Sequence, residues 1–248
     1  LIATGGPKTI DNDVGDSERK LIDHTPGYGS VARYWALNVQ NANQENAGSC
    51  PPDPVLVMQV MGRKIGYIPA AARLGDPKRE LPLQIYMPEA GHNLSTMTDL
   101  VNDELKRSGR VLVVISEGFD VGSVGERHDS FGHIQYASSG TSVAQVVVNH
   151  LNDAGLVVPG KARGQIAGVD QRTNMSYAST VDMQESYNLG KKAVEIALKD
   201  GNGYMSTILR EPGDIYTVRY DKVPLDLVAN SEREFPKEWL SENGIDVT

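Results

Sequence analysis

Cysteine is nearly absent. Cys50 stands alone among 248 residues, so no disulfide can form within the chain, and a reducing, cytoplasmic setting is the expectation. Long apolar runs are missing too: none approaches the roughly 18 residues that a membrane-spanning helix needs. The opening residues carry no signal-peptide pattern, and no membrane partner is expected. Lysine and arginine form no run, and a formal charge of −8 would repel a phosphate backbone, which argues against broad nucleic-acid binding. The same charge leaves room for small phosphorylated ligands, provided that a few cations converge in one cleft. There is neither an internal repeat nor a low-complexity tract. An initiator methionine is also lacking. The chain opens on Leu1-Ile2-Ala3-Thr4, read as the end of a buried parallel strand that earlier elements would cover, so a fragment of a longer protein is expected. What is present is ordinary for a globular protein. Hydrophobic residues make up 40% and charged residues 23%, with a mean hydropathy of −0.34, enough for one large or two modest domains.

The stretch Gly5-Gly6-Pro7-Lys8-Thr9-Ile10-Asp11-Asn12-Asp13 organises the rest. Gly-Gly-Pro ends the expected strand, and a cation, a hydroxyl and two carboxylates follow within one loop. Polar residues at a strand's carboxyl end are where open α/β sheets bind ligands. A lysine beside two carboxylates suits phosphoryl transfer, because the cation can neutralise phosphate oxygens while an aspartate takes the proton of an attacking hydroxyl. A solvated turn with capping aspartates is the alternative reading. Two simpler motifs are excluded. Pro7 precedes Lys8, which rules out a Walker A loop. Asp16 and Ile22 stand where an EF-hand needs glycine and glutamate.

Apolar periodicity predicts a helix over residues 30–44, with Val31, Tyr34, Trp35 and Val39 on its buried face. Strands are predicted at 55–60, 83–87, 110–115 and 164–169, and helices at 64–74, 94–106 and 142–153. Three of these strands lead into polar turns: Met61-Gly62-Arg63, Ser116-Glu117-Gly118 and Asp170-Gln171-Arg172. A strand, a glycine-containing turn and a helix together aim backbone N–H groups at an anion. Residues 118–140 are glycine-rich and polar and read as a mobile surface loop; His128 and His133 find no third metal ligand at a suitable spacing. The longest helix is expected over 179–199, with Met183, Tyr187, Leu189, Val194, Ile196 and Leu198 forming its apolar side. Strands at 204–209 and 215–218 would pair through Glu211-Pro212-Gly213-Asp214, and two short helical pieces follow around Leu225 and Trp239. The sum is an α/β fold with three layers and a mainly parallel sheet.

Pro7-Lys8-Thr9-Ile10-Asp11-Asn12-Asp13 resembles the signature of phosphofructokinases, above all the diphosphate-dependent branch. Met61-Gly62-Arg63 with Gly66 resembles their second signature, and Ser116-Glu117-Gly118 and Gln171-Arg172 follow in the required order. The resemblance implies a two-domain arrangement whose N-terminal, donor-cradling part is missing. Residues 1–27 and 171–220 would belong to the phosphoryl-donor domain, and residues 28–170 and 221–248 to the sugar-phosphate domain. It further implies phosphoryl transfer from diphosphate to the 1-hydroxyl of fructose 6-phosphate, a glycolytic step. Alternatives are an ATP-dependent enzyme of the same fold and a non-catalytic subunit. The isolated fragment is expected to be inactive.

By resemblance, Asp11 is the general base and Lys8 stabilises the transferring phosphate. Thr9, Ile10 and Asp11 line the sugar, as do Met61, Gly62 and Arg63. Glu117 holds sugar hydroxyls, Gln171 is substrate-binding, Arg172 lies at the 6-phosphate, and Arg163 reaches a neighbouring subunit's site, which implies a homo-oligomer. Mg²⁺ is the implied cofactor, with Asp13 a candidate ligand and the main ligand expected upstream. Two positions depart from the pattern: Val169 replaces a usual histidine or tyrosine, and Pro54 a basic residue. Valine cannot hydrogen-bond a phosphate.

Overall fold

The computed structural model describes residues 1–122, 141–229 and 231–248. His128 and His133, and the expected loop from residue 123 on, lie outside them. In chain order the elements are α1 (Tyr28–Ser49), β1 (Val55–Val60), α2 (Tyr67–Ala71), β2 (Leu83–Tyr86), α3 (Leu94–Ser108) and β3 (Val111–Ser116). Next come α4 (Val143–Ala154), β4 (Ala162–Ile166), α5 (Asp170–Thr173), α6 (Thr180–Lys199), β5 (Tyr204–Arg210), β6 (Val218–Pro224) and α7 (Leu225–Val228). They fall into two compact units, one made of residues 1–33 and 172–235, the other of residues 34–171 and 236–248.

The second unit is built on a four-stranded sheet of order β2-β3-β1-β4 in which every pairing is parallel. Its central strands, Val-Leu-Val-Met-Gln-Val and Val-Leu-Val-Val-Ile-Ser, are β-branched and almost wholly buried, as strands covered on both faces must be. Val55, Val57, Val111, Val113 and Ile115 point to one face and pack with Met97, Val101 and Leu105 of α3 and Val147 and Leu151 of α4. Leu56, Met58, Leu112 and Val114 alternate to the other face and are equally buried; there α2 packs against β2 and β3. Helix, sheet and helix make three layers, so the expected α/β architecture with a mainly parallel sheet holds. Sequence sets the helix limits: Asn93 and Thr96 form a capping box at α3, and Ser142 accepts from Gln145 N at the start of α4.

The first unit contains the β5–β6 antiparallel pair, with α6 packed against both strands and Ile22, Leu189 and Ile208 forming a small core. Met205, Val223 and Val228 form another with Val14 and Leu21.

Several sequence expectations need correction. Leu1 to Thr4 are not a buried strand. Leu1 and Ile2 are exposed, and among the described residues the segment's ladder contact is a parallel bridge from Gly5 to Met205, where Gly5 N donates to Tyr204 O and Ser206 N to Gly5 O. The partner of β5 is residues 218–224, not 215–218, and Ile215 is exposed. The helix expected over 64–74 is shorter, α2 running into a 3-10 turn at Ala72–Gly75. Among the described residues α1, with 22 residues, is longer than α6 with 20. Only Leu189 and Ile196 of the expected apolar side of α6 are buried; Met183, Tyr187, Val194 and Leu198 are exposed. The unit boundaries also fall at 33, 171 and 235, where the sequence divided the chain at 27, 170 and 220. β6 pairs along its whole length with β5, and Arg233 N donates to Asp13 O, so residues 221–224 and Arg233 make these contacts within the first unit.

Candidate functional site

In the first unit the opening loop is held in a conformation that few residues adopt freely. Thr9 has φ 151° and Asn12 φ 60°, strain that persists only where surroundings over-determine the backbone. Thr9 Oγ1 donates to Asp11 Oδ2 at 2.7 Å, and Asp11 N returns a bond to Thr9 Oγ1 at 3.2 Å. Asp11, Asn12 and Asp13 are buried, Thr9 and Ile10 half-buried and Lys8 exposed. The loop thus presents an exposed cation beside a buried, hydrogen-bonded carboxylate. Arg172, exposed at the end of α5, belongs to the same unit.

The loop is tied from behind. Thr25 Oγ1 donates to Thr9 O at 2.5 Å and Thr25 N to Asn12 Oδ1 at 3.0 Å. Arg233 is fully buried and gives Nη1 to Asp23 O at 2.7 Å and to Ile22 O at 3.2 Å, and Nη2 to Val14 O at 2.7 Å. His24 lies between two carboxylates, Nδ1 2.8 Å from Asp23 Oδ2 and Nε2 3.0 Å from Glu185 Oε2. Both ring nitrogens must donate to carboxylates, which fixes an imidazolium. Burial opposes that charge, but the two acceptors outweigh it and push the ring up to about 9. Burial likewise works against the Glu185 carboxylate, yet hydrogen bonds from His24 and Tyr216 hold it below the ordinary range. Asp182 of α6 accepts from Gly27 N, Ser30 N and Ser30 Oγ at 2.7, 3.1 and 2.5 Å and so caps the start of α1. Arg233, His24, Asp182 and Glu185 belong to no motif, and sequence reasoning missed them. One signal was available: Asp182 and Glu185 sit at helical spacing on the same stripe as Leu189 and Ile196, and carboxylates on an apolar stripe mark a buried polar network.

In the second unit, polar turns gather at the carboxyl ends of β1 and β3. Glu117 accepts from Arg63 N at 3.1 Å, and Ser116 Oγ donates to Arg63 O at 2.5 Å. A Cβ at Gly118 would lie 2.1 Å from Arg63 O, so only glycine lets the two turns meet. Gly62, at φ 124°, makes the turn that exposes Arg63. Gln171 is buried and its amide is spoken for: Oε1 accepts from Trp35 Nε1 and Met61 N, and Nε2 donates to Gly168 O. It therefore fixes the Met61 turn through the protein instead of reaching outward. A cavity of about 510 Å³ opens here, lined by Met61, Glu117 and Gln171 together with Gln59, Ser142 and Val169. Ser142 and Val169 carry no charge, and Gln59 Oε1 accepts from Ala144 N.

Arg163 is placed elsewhere. It aligns with Leu56 near the amino end of β1, exposed, and pairs with Glu45 at 2.6 Å and Asp53 at 3.6 Å. Pro54 is buried there, Pro54 O accepting from Val111 N at 2.8 Å, a structural part of the sheet's amino-terminal end. Of the expected residues, the structure thus groups Lys8, Thr9, Ile10, Asp11 and Asp13 in one loop, and Met61, Gly62, Arg63, Glu117 and Gln171 at one sheet end. For Mg²⁺ the oxygen donors Asp11 and Asp13 have suitable chemistry, although no group of three or more His, Cys, Asp or Glu side chains gathers among the described residues. Magnesium keeps waters and substrate phosphates as ligands, so one or two carboxylates are enough. No helix among the described residues is long and apolar enough to cross a membrane.

The fold and these turns define an α/β protein that carries candidate site residues at the carboxyl ends of parallel strands in one unit and, in the other, a strained acidic loop. A phosphofructokinase family model matches residues 2–197, and the chain belongs to the phosphofructokinase family. It is 31% identical over 255 residues to the pyrophosphate–fructose 6-phosphate 1-phosphotransferase of Halomonas elongata, and 32% identical over 250 residues to the one of Methylococcus capsulatus. These alignments cover 100% and 98% of this chain but 58% and 56% of the relatives. The crystal structure of a pyrophosphate-dependent phosphofructokinase from Nitrosospira multiformis superposes with a TM-score of 0.81 at 31% identity, covering all of this chain and 57% of that one. The chain therefore spans little more than half the length of these relatives.

Proposed function

We propose that the protein containing this chain transfers a phosphoryl group from diphosphate to the 1-hydroxyl of fructose 6-phosphate, giving fructose 1,6-bisphosphate and phosphate. The observation that carries this reading is the Thr9–Asp11 pair: a buried carboxylate held by a neighbouring hydroxyl in a strained loop. As the sugar oxygen bonds to phosphorus and the bond to the leaving phosphate breaks, Asp11 takes the hydroxyl proton. Lys8, exposed on the same loop, would reach the transferring phosphate and offset its charge. Mg²⁺ held by Asp13 and donor oxygens would neutralise the donor's phosphates. Glu117 and the Met61-Gly62-Arg63 turn would hold the sugar, and Arg172 its phosphate, where a guanidinium fork grips two oxygens.

Steady-state assays of the full-length protein with diphosphate and with ATP test the donor. Diphosphate should support the faster turnover, and ATP alone doing so would reject the proposed donor. Asp11→Asn should lower kcat by at least about 10²-fold while fructose 6-phosphate still binds. Near-normal turnover of that variant would refute the general base.

A further inference from the structure

Arg233 lies more than two hundred residues from Asp11 in sequence, yet its contacts converge on the loop that carries Asp11. A fully buried guanidinium is costly to desolvate and persists where its donors are met. Here Nη1 and Nη2 donate almost wholly to main-chain oxygens. Nη2 holds Val14 O on one side of the loop, Nη1 holds Ile22 O and Asp23 O on the other, and the backbone N of Arg233 holds Asp13 O at 2.7 Å. Nη2 also stands 3.5 Å from Asn12 Oδ1. The segment pinned at Asp23 continues into Thr25, whose N–H and hydroxyl hold Asn12 Oδ1 and Thr9 O, and Thr9 in turn holds Asp11 Oδ2. A series of hydrogen bonds and one short backbone link thus runs from the guanidinium to the carboxylate through Thr9 and Asn12, both of positive φ.

We propose that Arg233 is a positioning residue: by clamping residues 13–14 to residues 22–23 it holds Thr9 and Asn12 in their strained conformations and so aims the Asp11 carboxylate. The inference rests on the phosphoryl-transfer reading of Asp11. Lysine cannot replace the arginine, because one ammonium offers a point charge where a planar fork spans carbonyls on two sides.

The test uses the full-length protein with Arg233→Lys, Arg233→Met and Thr25→Val, the last leaving Arg233 in place while removing the hydroxyl bond to Thr9. Turnover is measured well below each variant's melting temperature. A purely structural role would lower the melting temperature alone. Positioning predicts a fall in kcat of about 10²-fold in the folded variants, because a displacement near 1 Å suffices, with KM for fructose 6-phosphate within about threefold. Hydrogen exchange supplies a readout independent of turnover: amides of residues 9–15 should exchange faster in Arg233→Lys and Thr25→Val, while those of β1 and β3 stay as in the wild type. Wild-type kcat in folded Arg233→Lys, or unchanged exchange over residues 9–15, overturns the proposal. If the wild type turns over neither donor, the phosphoryl-transfer reading fails, and the exchange data alone then decide whether Arg233 sets the loop. Should Arg233→Met not fold, Arg233→Lys and Thr25→Val carry the decision.

Discussion

His24 shows how one side chain can make stability depend on pH. Its ring is held as an imidazolium by Asp23 and Glu185, and its folded value of about 9 stands above the ordinary 6.5. A raised value means that the folded state holds the proton more tightly than the unfolded state. The stabilisation is therefore complete below about pH 6.5 and is lost as pH climbs to about 9; at most it amounts to about 3 kcal/mol. Asp23 and Glu185 are held below the usual carboxylate range, and burial raises Tyr216, so none of these partners titrates in that window. The wild-type melting temperature should fall more steeply from pH 6.5 to 9 than that of His24→Gln. Parallel slopes would reject a charged His24. Residues of this kind escaped sequence reading, because a histidine next to an aspartate gains its second carboxylate, Glu185, only in the folded chain.

Elements were legible where local sequence decides them. β1 and β3 are dense in valine, leucine and isoleucine, so both strands and the turns after them stood out. β6, Val-Arg-Tyr-Asp-Lys-Val-Pro, has one buried residue and is otherwise half-buried or exposed, and its strand character comes from pairing with β5, a partner that local pattern does not reveal. Gly5 likewise meets Met205 two hundred positions away. On α6 periodicity announced a helix but not which side is covered. The signature turns at 61–63 and 116–118 were readable as motifs; that Glu117, Ser116 and Gly118 brace Arg63 was not, since this depends on β1 and β3 lying side by side. The α1–α6 junction makes its own prediction. Asp182→Ala removes the acceptor for Gly27 N, Ser30 N and Ser30 Oγ; these donors are half-buried, so the total cost is about 1–3 kcal/mol, that of one fully buried donor left unmet. Urea denaturation should show a loss of that order, with Asp182→Asn partly restoring it; an unchanged midpoint would mean that water replaces the carboxylate.

At the scale of the whole molecule, each unit has its own core, and both tryptophans, Trp35 and Trp239, belong to the unit with the parallel sheet. Leu105 is 1% exposed in that unit's main cluster, and Leu105→Ala should destabilise it by about 2–5 kcal/mol. Tryptophan fluorescence should register this loss and respond little to Asp182→Ala. Equal shifts for both variants would show that the molecule unfolds as one cooperative body. The unit holding the acidic loop is assembled from the first 33 residues and a stretch that ends at 235. During synthesis at roughly 5–20 residues per second, the opening segment leaves the ribosome some ten to forty seconds before its closing arginine. The loop is therefore locked only after Arg233 has emerged, and a chaperone holding nascent chains would meet it unfastened for that whole interval.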